Sequence, residues 1–279
     1  MTGGGKTQWS AWESPRQALP PSSRHTCSTA FRFLMNLRSV NYHIGNLMRR
    51  RGYAVVREYR QPLCTLNVLL LAIRLLQSRR QSLSIVQIGA FDGDSNDPLK
   101  EVVRDPGSKV VLVEPQPGPC ELLVSRYAHH PWVHIENSAV GSEDGTIAMF
   151  LPKGDHSSQL ASIDERHMRN MGAGETRSIT VNSISVATLM RKYRLETVDV
   201  LQIDTEGYDF KILSQFLDAG IEPAVINFES FHLSKDERNG SRRMLTGRGY
   251  GFLEYGAVGC SMDTLAVKHE LLSMASMPT

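Results

Sequence analysis

The chain is predicted to fold as an α/β protein, with a mostly parallel seven-stranded sheet, helices on both faces and a terminal antiparallel hairpin. Three observations carry this expectation. The run Ile85-Val-Gln-Ile-Gly89 has strand character and closes on a glycine, and an acidic loop with Asp92, Asp94 and Asp97 follows at once. A second apolar run, Val110-Val-Leu-Val113, closes on Glu114, twenty-five residues after Gly89. Beyond them, short apolar runs alternate with helix-like segments, the pattern of a parallel sheet covered on both sides.

In chain order, residues 1–30 are rich in Gly, Ser, Pro and Thr without periodicity and are expected to be disordered. Residues 31–80 form a basic, mainly helical extension, and residues 81–279 the main domain. A helix is expected over about 64–78. Its apolar stretch Val68–Leu76 is too short to span a bilayer and is interrupted by Arg74, so it reads as a buried helix beside the sheet. Candidate strands are 84–89, 109–114, 132–136, 198–204 and 224–229; candidate helices are 97–104, 118–128, 185–193 and 207–218. Between the third and fourth strands, Thr146–Leu151 and Ser178–Val181 look like an antiparallel pair. They flank a Gly-, Ser-, His- and Met-rich segment, 152–177, read as a lid or substrate loop because unstructured loops of that length are uncommon in compact domains. Gly249–Tyr255 and Asp263–Val267 form the closing hairpin.

Charge is unevenly spread. Residues 1–80 carry 13 Lys/Arg against 2 Asp/Glu, whereas residues 81–279 carry 18 against 27. Such a basic section can contact nucleic acid or a membrane surface, but no nucleic-acid-binding motif accompanies it, which argues against nucleic acid. The four cysteines, Cys27, Cys64, Cys120 and Cys260, are scattered and lack metal-site or redox spacing. With no apolar leader in the first thirty residues, they point to a reducing, cytoplasmic setting.

Two parallel strands ending in a glycine turn and a carboxylate form half of a nucleotide crevice, with the carboxylate placed to accept from ribose hydroxyls. The acidic loop would repel a pyrophosphate. It suits a ligand with cationic groups, such as the ammonium and sulfonium of S-adenosyl-L-methionine. The spacing Gly89-x-x-x-Gly93 also departs from the dinucleotide Gly-x-Gly-x-x-Gly. The run Val198–Ile203 leads into Asp204, Glu206 and Gly207, and Val225–Phe228 leads into Glu229 with His232 three residues on. Ligands of open α/β sheets bind at such carboxyl ends. Asp204, Glu206, Glu229 and His232 are therefore the catalytic candidates. Asp204 or Thr205 could alternatively only cap the following helix. The three carboxylates would suit Mg²⁺, but no closed ligand set is visible and no metal is expected.

Taken together, Val86-Gln-Ile-Gly-Ala-Phe-Asp-Gly93, Val113-Glu-Pro-Gln-Pro117, Asn137-Ser-Ala-Val-Gly141, Leu201-Gln-Ile-Asp-Thr-Glu-Gly207 and Asp263-Thr-Leu-Ala266 resemble the FkbM family of S-adenosylmethionine-dependent methyltransferases over about residues 84–268. The resemblance implies a Rossmann-like class I methyltransferase fold and O-methylation of a small molecule or sugar. It places Gly89, Ala90, Asp92 and Gly93 around the methionine part of the cofactor and Glu114 at the ribose. Asn137 and Ser138 fall near the adenine, and Asp204 and Glu206 beside the methyl group. Phe91 and Gln202 stand where members often carry Asn and Lys. An NAD-linked oxidoreductase and a non-catalytic cofactor-binding or interaction module are the competing readings.

Overall fold

The computed structural model describes residues 67–154, 158–170, 174–255 and 262–273. The expectations for residues 1–30 and for most of 31–80 lie outside these. The sheet is built from β1 (Ser84–Ile88), β2 (Lys109–Val113), β3 (Val133–Glu136), β7 (Val200–Ile203), β8 (Val225–Glu229), β9 (Tyr250–Tyr255) and β10 (Asp263–Lys268). Its order is β3-β2-β1-β7-β8-β10-β9. The first five strands run parallel, and β10 inserts antiparallel between β8 and β9. The direction of travel across the sheet reverses between β1 and β7, so a crevice opens above their carboxyl ends.

The parallel strands read as mostly apolar runs because both faces are covered. Side chains alternate between the faces. Val86, Ile88, Val111, Leu201, Ile203 and Phe228 pack on one side, against Ile212, Leu213 and Phe216 of α6 (Asp209–Asp218), Leu189 of α5 (Val186–Lys192) and Leu245 of α7 (Lys235–Gly247). Ile85, Val110, Leu112, Val200 and Val225 pack on the other. Their partners are Leu69 and Ile73 of α1 (Val68–Gln77), Val102 and Val103 of α2 (Lys100–Val103), and Leu123 and Tyr127 of α3 (Pro117–Tyr127). On this second face a polar row crosses the sheet, since Gln87 pairs in register with Gln202, and Gln202 with Asn227. All three are buried, and Asn227 Nδ2 donates to Gln202 Oε1 at 2.8 Å.

Several elements differ from expectation. Helix α1 is amphipathic rather than buried, with Leu71 55% exposed while Leu69 and Ile73 are inaccessible. The helix expected at 97–104 shrinks to α2, because the Asp97 carboxylate accepts from Leu99 N (2.8 Å) and holds a turn ahead of it. Helix α7 was not anticipated. Its sequence, KDERNGSRRMLTG, is almost wholly polar, and it is started by a capping box in which Ser234 and Glu237 bond each other's backbone amides.

The insertion forms a second sheet from β4 (Ala139–Val140), β5 (Gly145–Pro152) and β6 (Thr176–Ile184), in the order β4-β6-β5. The segment 152–177 is not a plain loop. It bridges back through Phe150 and Ser162 and carries the short helix α4 (Glu165–Asn170). The chain ends its described part in α8 (His269–Leu272). Among the described residues no helix is long and apolar enough to cross a membrane.

Candidate active site

Above the switch point lies a cavity of about 500 Å³ lined by the loops after β1, β2, β7 and β8 and by the insertion. Its first wall is the turn after β1. Gly89 has φ +80°, and a Cβ added there would lie 1.7 Å from the carbonyl oxygen of Asp204, so only glycine lets the two strand ends come this close. Gly89 N and Ala90 N both donate to Val113 O, at 2.9 and 3.1 Å. Glu114 is buried. Its Oε2 accepts from Phe91 N and its Oε1 from Gln116 N, each at 2.8 Å. Burial nevertheless pushes its carboxyl up to about 7, against the pull of those two amides.

The second wall is acidic. Asp204, Glu206, Glu229 and Asp263 line the same cavity, with Asp97 across from them. Asp204 is accessible, but what it exposes is cavity surface hemmed in by protein. Desolvation first, then the charges of Asp209, Glu206 and Asp263, push its carboxyl up to about 8. The same causes push Glu229 up to about 10, Asp204 being its strongest charged neighbour. A carboxyl is ordinarily too weak a base for an alcohol, and crowding of like charges is the physical route to a stronger one. Asp209 is fully buried beneath the wall. Its Oδ2 accepts from Thr205 Oγ1 (3.0 Å) and Gly207 N (3.3 Å), which fixes the turn that presents Asp204 and Glu206. Phe91, Asn96 and Glu206 hold positive φ without being glycine, and all three line the cavity. Strained backbone of this kind, at about 1–3 kcal/mol per residue, gathers at functional sites.

The insertion supplies the third wall through Met149, Gln159, Ala161 and Ile163. It is tied down by a reciprocal pair in which Gln116 Nε2 donates to Ser158 O and Ser158 N donates to Gln116 Oε1, both at 2.9 Å. Ser162 Oγ also donates to Glu206 O at 2.8 Å.

Of the residues singled out in the sequence, Gly89, Ala90, Glu114, Ser138, Asp204, Glu206 and Glu229 meet at the cavity, and Asp92, Gly93, Asn137 and His232 do not line it. The Asp92 carboxylate accepts from Asp94 N, Ser95 N and Ser95 Oγ and so shapes its own loop. Gly93 makes room for Leu123 and Tyr127, whose side chains a Cβ there would meet at 2.8 and 2.9 Å. Asn137 Nδ2 donates to Glu114 O (2.8 Å) and Pro115 O (3.2 Å), bracing the loop that carries Glu114. His232 stands behind the wall, with Nε2 3.2 Å from Glu206 Oε2 and 3.3 Å from Glu229 Oε1. Sequence reasoning passed over His167, Gln87, Asp209 and Asp263 as site residues. Asp209 and Asp263 were findable, being acids at strand ends or helix starts on the same rim.

The donor set suits a cationic nucleoside. Gln87 Oε1 and Asp97 Oδ2 are buried without a hydrogen-bond partner, Gln87 and Asp97 both line the cavity, and an ammonium group is a donor that would satisfy such acceptors. The fold is of the class I, Rossmann-like type, with this crevice at the switch in strand order. Residues 87–253 match the methyltransferase FkbM domain, and the chain belongs to that family, whose cofactor is S-adenosyl-L-methionine.

Among solved structures, methyltransferase FkbM from Methylobacillus flagellatus KT is similar at 15% identity and a TM-score of 0.44. The match covers 67% of this chain and 43% of that one, so this chain spans less than half its length. An O-methyltransferase from Bacillus cereus in complex with SAH is 13% identical with a TM-score of 0.41, over 75% of this chain and 84% of that one. An rRNA methylase from Streptococcus thermophilus is 11% identical with a TM-score of 0.40, over 73% and 96%. No curated protein sequence matches the chain.

Proposed function

We propose that the protein methylates a hydroxyl group on a small molecule or sugar. The observation that carries this reading is the meeting of Gly89, Glu114 and Asp204 on one cavity, with the insertion as its outer wall. S-adenosyl-L-methionine supplies a methyl group already activated by a positive sulfur. Gly89 and Ala90 would hold its methionine part, Glu114 its ribose hydroxyls and Ser138 the region of the base. Asp204 orients the acceptor hydroxyl, and Glu206 receives the proton, backed by His232 Nε2 at 3.2 Å. The chain's main contribution is alignment, since positioning alone can supply roughly 7–11 kcal/mol of a displacement barrier.

The cavity is lined by carboxyl groups and, among the described residues, by no Lys or Arg, which supports a neutral or cationic acceptor over a nucleic acid, since nothing there would neutralise a phosphate. The cavity is also of the size that takes small ligands. Incubation with methyl-labelled cofactor and a panel of sugars, polyketides and lipids tests the reading. A labelled methyl ether is the expected product. An Asp204→Asn chain that binds S-adenosylhomocysteine yet keeps full turnover removes Asp204 from its role.

A further inference from the structure

Behind the acidic wall the fold assembles two imidazoles with the carboxylates, and the methyl-transfer reading has no use for the first of them. His167, from α4, meets His232 edge-on with ring centroids 4.6 Å apart at 76°. One donor atom from each of His167, Glu206 and His232 lies within 4.8 Å of the others. The same holds for Asp204, Glu206 and Glu229, so Glu206 belongs to both sets.

Three features set this cluster apart from ordinary ion pairing. First, charge-assisted N–H···O bonds close to about 2.7–2.9 Å. Here His232 Nε2 stays 3.2 and 3.3 Å from its two carboxylates. Glu206 Oε2, Glu229 Oε2 and His167 Nε2 are all buried without a hydrogen-bond partner, and Glu229 is only 7% exposed. Buried polar atoms left unsatisfied in a native fold are rare and call for a bound ion or water. Second, two ligands of a tetrahedral ion with bonds of about 2.0–2.1 Å stand about 3.3–3.4 Å apart, close to the separations seen at His232. Third, the donors are held. The His167 ring lies against the backbone of Gly207, where an added Cβ would come 2.6 Å from its Nδ1. Glu206 is fixed at φ +52° and by the bond from Ser162 to its carbonyl. Among the described residues, no Lys or Arg forms an ion pair with Asp204, Glu206 or Glu229.

The geometry points to a site for one divalent transition-metal ion, built by His167, Glu206 and His232, with Asp204 and Glu229 on its side toward the cavity. Two imidazoles beside carboxylates suit Zn²⁺, Mn²⁺, Fe²⁺ or Co²⁺. Mg²⁺ prefers an all-oxygen octahedron. An ion there adjoins the acidic wall, where a hydroxyl oxygen could take its open position and be acidified by it. The inference goes beyond the O-methylation reading and does not depend on it.

Titrating chelator-stripped full-length protein tests it, with ZnCl₂ followed by calorimetry and CoCl₂ by visible absorption. The expected result is one ion per chain and the visible bands of four- or five-coordinate Co²⁺ with nitrogen ligands. Loss of an outer-shell partner alone weakens metal sites about 10–100-fold, so His167→Ala and His232→Ala should each weaken binding at least about 100-fold. Circular dichroism and S-adenosylhomocysteine binding show that the variants are folded, and the near-isosteric Glu206→Gln serves where a histidine variant is not. Absence of stoichiometric Zn²⁺ binding, an all-oxygen octahedral Co²⁺ spectrum on the unaltered chain, or undiminished binding in a folded variant overturns the inference. None of these readouts involves an acceptor or turnover, so failure here is separate from failure of the O-methylation reading.

Discussion

Replacing Gly89 with alanine probes the closest approach in the fold. Two costs add. At φ +80° an L-residue is in the left-handed region, worth roughly 1–2 kcal/mol. The new Cβ also falls 1.7 Å from Asp204 O and 2.8 Å from Asp204 C, both backbone atoms, so no side chain can swing aside. The tips of β1 and β7 must part by more than about 1 Å, and overpacking of this kind costs about 1–3 kcal/mol. Parting them stretches the bond from Asp204 N to Ile88 O, now 2.9 Å, a loss of about 1 kcal/mol more.

Gly220→Ala is the matched control. That glycine has φ +76° at the end of α6, with nothing within 4 Å of an added Cβ. It carries the strain without the clash, and the gain from a stiffer unfolded chain cancels between the two. Urea unfolding, with equal slopes for all three proteins, should show Gly89→Ala less stable than Gly220→Ala by at least about 2 kcal/mol. Calorimetry should show S-adenosylhomocysteine binding weakened only in Gly89→Ala. Equal unfolding midpoints for the two variants would refute the reasoning.

Three further outcomes are expected. The unfolded chain releases the Glu114 proton near 4.5 and the folded chain holds it to about 7. The Glu114 contribution to stability is therefore fully present below 4.5 and is lost as pH rises through 7, by up to about 3 kcal/mol, and Glu114→Gln should lack that part of the slope in denaturation curves at pH 5 and 8. Buried Glu136 accepts from Lys192 Nζ (2.6 Å), Ser138 Oγ (2.7 Å) and Tyr193 OH (2.8 Å), which hold its carboxyl below the ordinary value despite burial. Its stabilisation is present above pH 4.5 and lost as pH falls through the depressed value, so Lys192→Met should cost about 1–3 kcal/mol at pH 7 and converge on the unaltered protein in acid. Ser234→Ala removes the capping box of α7 and should lower stability by about 1 kcal/mol in thermal unfolding, leaving S-adenosylhomocysteine affinity unchanged.

The sheet could be read in the sequence because burial on both faces makes each parallel strand mostly apolar, and because Glu114, Asp204 and Glu229 punctuate those runs where parallel strands end. Helix α7 could not be read the same way. It buries Ser241 and Leu245, and its main signal was the pair Ser234 and Glu237. Site residues divided along a similar line. Those fixed by a strand end were legible, whereas Asp92, Gly93 and Asn137 have the residue types of a cofactor loop but spend their hydrogen bonds or space on holding that loop in shape. His167 lies in a segment without periodicity. Only the folding of the insertion onto Gly207 brings it within reach of His232, a contact across more than sixty residues of chain that no local pattern encodes.

The acids themselves tie cofactor and ion together. Asp204, Asp209, Glu229 and Asp263 all lose water on folding, and neighbouring like charges add to the cost for Asp204 and Glu229. Apolar residues of the same volume would make a more stable wall. What recovers the cost is positive charge brought into the crevice, and both the sulfonium cofactor and a divalent ion bring it. Each binds the folded chain alone, so each stabilises it by mass action. Where the two share the same field, the first to bind relieves repulsion that the second would otherwise have relieved. Their stabilising effects should therefore fall short of additive, a reciprocal coupling that thermal unfolding with Zn²⁺, with S-adenosylmethionine and with both will measure.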